Sequence, residues 1–156
     1  MTSQDPRSVF ESYLHATNGR DLAALDRVVH ADFEDFYPQS GERIAGAANL
    51  RAILENYPGG YRGTGVDQVV GSEDRWVMTP VFSLVRIEGA GDTFTGVSRG
   101  RYPDGSEWFI VNIGQVRDGR VWRVETFFAP TFEPAGWRSA WVSVASEAEG
   151  DRVDRG

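Results

Sequence analysis

Carboxylates are the reactive groups this sequence holds in quantity: 23 Asp and Glu stand against 16 basic residues, every one of them Arg, and 2 His. Two of the acids sit in aromatic stretches rather than in polar turns. Asp35 lies within Phe33-Glu34-Asp35-Phe36-Tyr37, and Glu125 lies within the run from Trp122 to Phe128. A carboxyl that folds into such surroundings loses hydration, so its pKa rises toward working pH, where it can take up or release a proton. Each also has a plainer reading, Asp35 as a solvated acid and Glu125 as a surface glutamate paired with an arginine. Other chemistries have less behind them. The absence of cysteine excludes disulfides, thiolate nucleophiles and thiolate-bound metals. His15 and His30 show no metal-ligand spacing, so neither a metal nor a cofactor is expected. No nucleophile elbow or Ser-His-Asp spacing is present, and the glycines are dispersed in turns rather than gathered into a phosphate cradle. His30 and Asp32 have the look of a catalytic dyad, set against a histidine cation that relieves the dipole at a helix C-terminus. His15 reads as a residue on the flank of its helix, exposed or hydrogen-bonded.

The elements that must position these groups fall into two blocks. A chain of 156 residues suits one domain with a core and one internal cavity. Over the first 57 residues the periodicity is helical. Val9, Tyr13, Ala16 and Thr17 share a stripe with Phe10 and Leu14 beside it, and Asp21 can cap a second helix carrying Leu22, Leu25, Val28 and Val29. Phe33 to Tyr37 reads as a short strand stopped by Pro38, and a third helix is predicted from Ala47 to Tyr57. From Val66 onward the texture is β-branched and aromatic, predicting strands over Val66–Gly71, Trp76–Glu88, Thr93–Tyr102, Glu107–Arg117 and Val121–Phe128. Ser72-Glu73-Asp74, Gly89-Ala90-Gly91-Asp92, Pro103-Asp104-Gly105 and Asp118-Gly119 are turn sequences between them, and Pro80 must fall on a bulge or an unpaired edge. Helices first and an antiparallel meander afterwards predict an α+β domain over residues 1–144, with a disordered acidic tail over 145–156.

A net charge of −7 argues against nucleic-acid and anionic-membrane partners, which need positive patches. The preference for Arg over Lys reads as genomic base composition rather than chemistry. No apolar run approaches the roughly 20 residues of a membrane span. Met1 to Arg7 lacks the apolar segment of a signal peptide, so a soluble cytoplasmic protein is expected.

Asn18-Gly19 with Asp21-Leu22, His30-Ala31-Asp32, Pro38-Gln39-Ser40-Gly41-Glu42-Arg43-Ile44, Asn56-Tyr57-Pro58-Gly59 and Asp118-Gly119-Arg120-Val121 together resemble the nuclear transport factor 2-like superfamily, and within it the SnoaL-like branch. Phe127-Phe128-Ala129-Pro130, Phe132-Glu133 and Trp137-Arg138 extend the likeness to a group of bacterial members. The resemblance covers roughly residues 8–142. It implies a cone, with three N-terminal helices packed on a curved antiparallel sheet around a pocket. That pocket serves ketosteroid isomerisation, dehydration, epoxide hydrolysis, aldol cyclisation or plain binding in different members, so the fold implies a cavity and not a reaction.

Within such a cone, alternate side chains of each strand face the cavity. If Val121 packs inward, Val116 opposite it does too, and counting back by twos brings Gly114, Asn112, Ile110 and Trp108 inward. Counting forward from Val121 brings Arg123, Glu125 and Phe127 inward. On the first strand Phe33, Asp35 and Tyr37 share the cavity side. SnoaL-like cyclases carry an aspartate on the last strand, and by spacing from the Asp-Gly turn that position is Thr126 here, which counts against chemistry of that kind.

The expected site is therefore Asp35 and Glu125 as acid/base candidates, Tyr37 and Asn112 as hydrogen-bond partners, and Trp108 as an apolar wall. Tyr13 and Tyr57 complete the substrate-binding candidates. Arg43, Arg99 and Arg101 could meet an anionic substrate or pair with acids on the outer surface. The sequence suits a cofactor-independent enzyme of isomerase, dehydratase, cyclase or hydrolase type acting on a small apolar carbonyl or hydroxyl compound. The alternative is a non-catalytic ligand-binding or assembly domain. A homodimer is expected, paired across the convex face of the aromatic-rich sheet, with Trp137 and Trp141 in a helical turn that caps the cone or meets the partner.

Overall fold

The computed structural model describes residues 4–56, 81–101 and 105–145, with side chains at all of these but 81–83 and 101. Tyr57, the expected strand Val66–Gly71, the start of the strand expected over Trp76–Glu88 with Pro80, the Pro103-Asp104 turn and residues 146–156 lie outside the described residues.

Helix α1 (Pro6–Gly19) starts where Pro6 fixes the first turn and the Asp5 carboxylate accepts the Ser8 N–H at 3.2 Å. It stops at Arg20, which takes the left-handed conformation (φ 52°) and returns its N–H to Ala16 and Thr17. Its apolar stripe buries Val9, Phe10, Tyr13, Leu14 and Ala16. Asp21 caps α2 (Leu22–Val28) by accepting the Ala24 N–H at 3.0 Å, as expected. The chain then passes with no loop into β1 (Val29–Tyr37). His30 accordingly follows Val29, the C-cap of α2, and with Asp32 already belongs to the strand. The His30 Nδ1 accepts the Asp32 N–H at 2.9 Å, and its Nε2 stands 3.6 Å from the Asp118 carboxylate. Strand β2 (Glu42–Ala45) and helix α3 (Ala47–Glu55) follow, then the long strands β3 (Val81–Ala90), β4 (Thr93–Arg101), β5 (Glu107–Arg117) and β6 (Arg120–Pro130).

The six strands form one sheet in the order β2-β1-β6-β5-β4-β3. It is antiparallel except between β1 and β6, which run parallel with Asp35 beside Val124 and Phe36 beside Glu125. Beyond the last of these pairs the Gln39 side chain extends the ladder: its Nε2 donates to the Phe128 carbonyl at 2.7 Å and its Oε1 accepts the Phe128 N–H at 2.6 Å. Helix α1 lies across the inner face of the sheet, close enough that a Cβ on Gly96 would run into Leu14 and one on Gly114 into the Phe10 ring. The core is the layer between them, with Phe10, Leu14, Phe33, Phe94, Val116, Val121 and Val124 all buried.

Along β5 the expected inward residues Trp108, Asn112, Gly114 and Val116 are buried and Ile113 is exposed, while Ile110, also expected inward, is half-buried like Phe109 and Val111 beside it. On β6 the expected alternation holds for one residue and then reverses. Val116 pairs with Val121 but Gln115 pairs with Arg123, so Trp122 is an extra residue, a β-bulge. From there on Val124 and Thr126 point inward, while Arg123 and Glu125 are exposed.

Candidate active site

Asp35 is 3% exposed, on the inner face of β1 between Phe33 and Tyr37. Its Oδ1 accepts the Thr126 hydroxyl at 2.8 Å, and the Thr126 oxygen in turn accepts the Asn112 side-chain N–H at 2.9 Å. A hydroxyl carries one proton, so with Asn112 donating to Thr126 that proton is directed at Asp35. The three side chains come from β5, β6 and β1, which are neighbours in the sheet, and all three are buried. Burial pushes the Asp35 pKa up to about 7, against the opposing pull of the Thr126 hydrogen bond and the Phe36 N–H.

Tyr13 approaches from α1. It is 2% exposed and packs against the Phe33 ring at 6.0 Å between centroids. Burial raises its pKa well above the usual phenol value, and the Asp35 charge and then Tyr37 add to the effect. Tyr13 thus stays a neutral phenol, a hydrogen-bond donor in the field of a carboxyl that titrates near neutrality. Tyr37 is partly buried against the core and meets the Phe128 ring edge-on at 5.0 Å. Trp108 is buried, its Nε1 donating to the Ser106 hydroxyl at 3.1 Å.

The fold therefore brings Asp35, Asn112, Tyr13, Tyr37 and Trp108 to the inner side of the molecule. It does not bring Glu125 there. The bulge at Trp122 turns Glu125 to the outer face, where with Glu34, Phe36, Ile113, Gln115 and Arg123 it lines an open groove of about 400 Å³. Arg43 and Arg99 also belong to the outer face as paired residues, Arg43 with Glu34 and Arg99 with Glu107 at 3.1 Å. Tyr57 is outside the described residues, and the Arg101 side chain is not described. Counting along the strand missed Thr126 as a member of the site. The one available signal was the family spacing, which had singled out that very position. Among the described residues no group of His, Asp and Glu could hold a metal ion, and no helix is long and apolar enough to cross a membrane.

The SnoaL-like domain model matches residues 10–124. The chain belongs to the SnoaL-like domain family. Among solved structures, this SnoaL-like chain is similar to an NTF-2 like protein of unknown function from Burkholderia xenovorans LB400, with 28% identity, a TM-score of 0.68, and coverage of 90% of this chain and 95% of that one. It also superposes on a candidate ketosteroid isomerase from Kribbella flavida DSM 17836, at 23% identity and a TM-score of 0.72, over 92% and 93% of the two chains. IdmH, a candidate polyketide cyclase from Streptomyces antibioticus, matches at 17% identity and a TM-score of 0.55, over 80% and 92%. At these identities the last two likenesses speak for the fold. No curated protein matches the chain.

Proposed function

We propose that this SnoaL-like protein is a cofactor-independent acid/base enzyme in which Asp35 moves a proton to or from a small apolar carbonyl or hydroxyl compound. The observation that carries the reading is the Asp35 carboxyl, buried, hydrogen-bonded on one oxygen by Thr126, and titrating at about 7. A base poised near working pH combines a usable deprotonated fraction with enough driving force to take a carbon-bound proton. Thr126 orients the carboxyl, and the neutral phenol of Tyr13 can donate to an oxygen on which charge develops. The isomerase and cyclase names among the structural neighbours belong to the same class of proton-transfer chemistry.

The test is exchange of α-protons in D2O across a panel of cyclic ketones, followed by NMR. The wild-type protein should accelerate exchange of at least one member, with a rate that rises with pH through about 7 as Asp35 deprotonates. Asp35→Asn should lower that rate by about 10²–10⁴-fold. A second reading, a non-catalytic binding pocket, draws on Thr126 standing where SnoaL-like cyclases carry an aspartate. Equal exchange with wild type and Asp35→Asn across the panel would favour it.

A further inference from the structure

Burial on the inner face of β1 and β6 falls off in one direction. Phe33 and Asp35 are buried but Tyr37 is half-buried, and Val121, Val124 and Thr126 are buried but Phe128 is half-buried. Asp35 is therefore approached past Tyr37 and Phe128. Behind them the space is thin, because α1 lies so close to the sheet that Leu14 and Phe10 fill the room where Gly96 and Gly114 would carry a Cβ.

The backbone does not hold these two rings together. The Phe36–Glu125 pair is the last between β1 and β6. Beyond it Pro38 has no N–H to offer. The Tyr37 carbonyl is taken by the β1–β2 turn, where it accepts the N–H groups of Ser40 at 3.3 Å and Gly41 at 2.8 Å. The Gln39 side chain supplies what the main chain lacks, since one amide carries both a donor and an acceptor. Its Nε2 and Oε1 meet the carbonyl and N–H of Phe128 at 2.7 and 2.6 Å. Tied in this way, the Tyr37 and Phe128 rings stand edge-on at 5.0 Å between centroids, in direct contact, so nothing passes between them.

We infer that Gln39 is a specificity-determining residue: by tying β6 to the β1–β2 turn it keeps Tyr37 and Phe128 closed as one wall of the approach to Asp35, and so admits flat carbonyl compounds and rejects thick ones. The inference rests on Asp35 being the group that substrate must reach. A compound one ring thick slides past a closed wall into the thin layer behind it. A cage that is thick in every direction needs the two rings to part, and parting them breaks both bonds of the Gln39 amide. Gln39 touches no reacting atom in this scheme and acts through the position of Phe128.

The experiment titrates the full chain with cyclohexanone, one ring thick, and with the cage ketone 2-adamantanone, following binding through the carbon-13 resonance of the Asp35 carboxyl. The wild type should bind cyclohexanone the more tightly of the two. Gln39→Ala loses both bonds and should bind 2-adamantanone about tenfold more tightly than the wild type does, with its affinity for cyclohexanone within about twofold. Phe128→Leu keeps the backbone bonds to Gln39 but removes the ring, and should shift the preference the same way if Gln39→Ala does not fold. A Gln39 with a purely structural duty would weaken both probes alike. That result overturns the inference, as does an unmoved preference in both variants or a wild type that fails to bind cyclohexanone or to prefer it. Proton exchange on cyclohexanone in D2O separates this inference from the proton-transfer reading. Exchange lost in Asp35→Asn with the preference unmoved in Gln39→Ala removes the thickness limit alone. A moved preference without any exchange upholds the limit and removes proton transfer alone.

Discussion

Asp35 and Glu125 are nearly neighbours in the sheet, since Phe36 pairs with Glu125 and Asp35 with Val124. One carboxyl is 3% exposed behind a helix, and the other faces solvent on the opposite side of the same sheet. Distance along the ladder is therefore a poor guide to chemistry in a sheet, and parity is a good one. A residue one step out of phase finds a different solvent, and for a carboxyl the solvent decides whether a proton is available near neutral pH.

The comparison can be broken most violently at the bulge. Inserting an alanine between Trp122 and Arg123 adds one residue beyond the bulge and should drive Arg123 and Glu125 inward while turning Val124 and Thr126 outward, whereas deleting Trp122 keeps every other pair of the two strands and should leave those faces as they are. Burying two unprepared charges costs more than a domain of this size can bear, so the insertion variant should be unfolded by circular dichroism at 25 °C. A folded insertion variant with Thr126 still bonded to Asp35 would mean that the faces of β6 are not set by the number of residues after Val121.

The next effect in size concerns the cost of keeping Asp35 indoors. Its carboxyl binds its proton up to about pH 7 in the folded state, while the unfolded chain releases it near 3.8. Between those values the folded state holds more protons than the unfolded one, so stability falls as pH rises from about 4 to about 7 and is flat beyond. Asp35→Asn removes that dependence. Its gain over wild type in urea unfolding should approach about 4 kcal/mol at pH 8 and vanish at pH 3.5. Equal stability of the two proteins at pH 8 would show Asp35 to be solvated.

A smaller effect separates the two carboxyls more finely. Thr126→Val takes away a hydrogen bond that favours the charged form, so the Asp35 midpoint followed by carbon-13 NMR should move up by about one pH unit. Glu125→Gln, acting on the exposed partner strand position, should leave that midpoint where it was and change stability by no more than about 0.5 kcal/mol. If both substitutions moved Asp35 alike, the two faces would not be independent.

The sequence carried the fold further than the site, for physical reasons visible in particular residues. The helical stripe of α1, the Asp21 cap and the inward set Trp108, Asn112, Gly114 and Val116 all followed from periodicity, which is a property of the local chain. The face of β1 that carries Asp35 followed in the same way. Thr126 and Glu125 exchanged places because one residue, Trp122, was added to β6 without any glycine or proline to mark it. Trp122 is held between the guanidinium groups of Arg117 and Arg123, 4.2 and 4.4 Å from its ring. That cation–π stack is a tertiary arrangement that no spacing announces. The family spacing kept the right position because it counts residues from the turn without assigning them to a face, whereas counting by twos assumes there is no bulge.

The Gln39 amide that grips Phe128 makes the end of the β1–β6 ladder out of a side chain. A backbone rung opens only when the strands part, but this one opens by rotation about side-chain bonds, a motion of picoseconds to nanoseconds where a side chain is exposed. The end of this ladder beside Tyr37 therefore has its own fast clasp, able to open while the rest of the ladder stays closed. Hydrogen exchange at the Phe128 amide reports how often it does so.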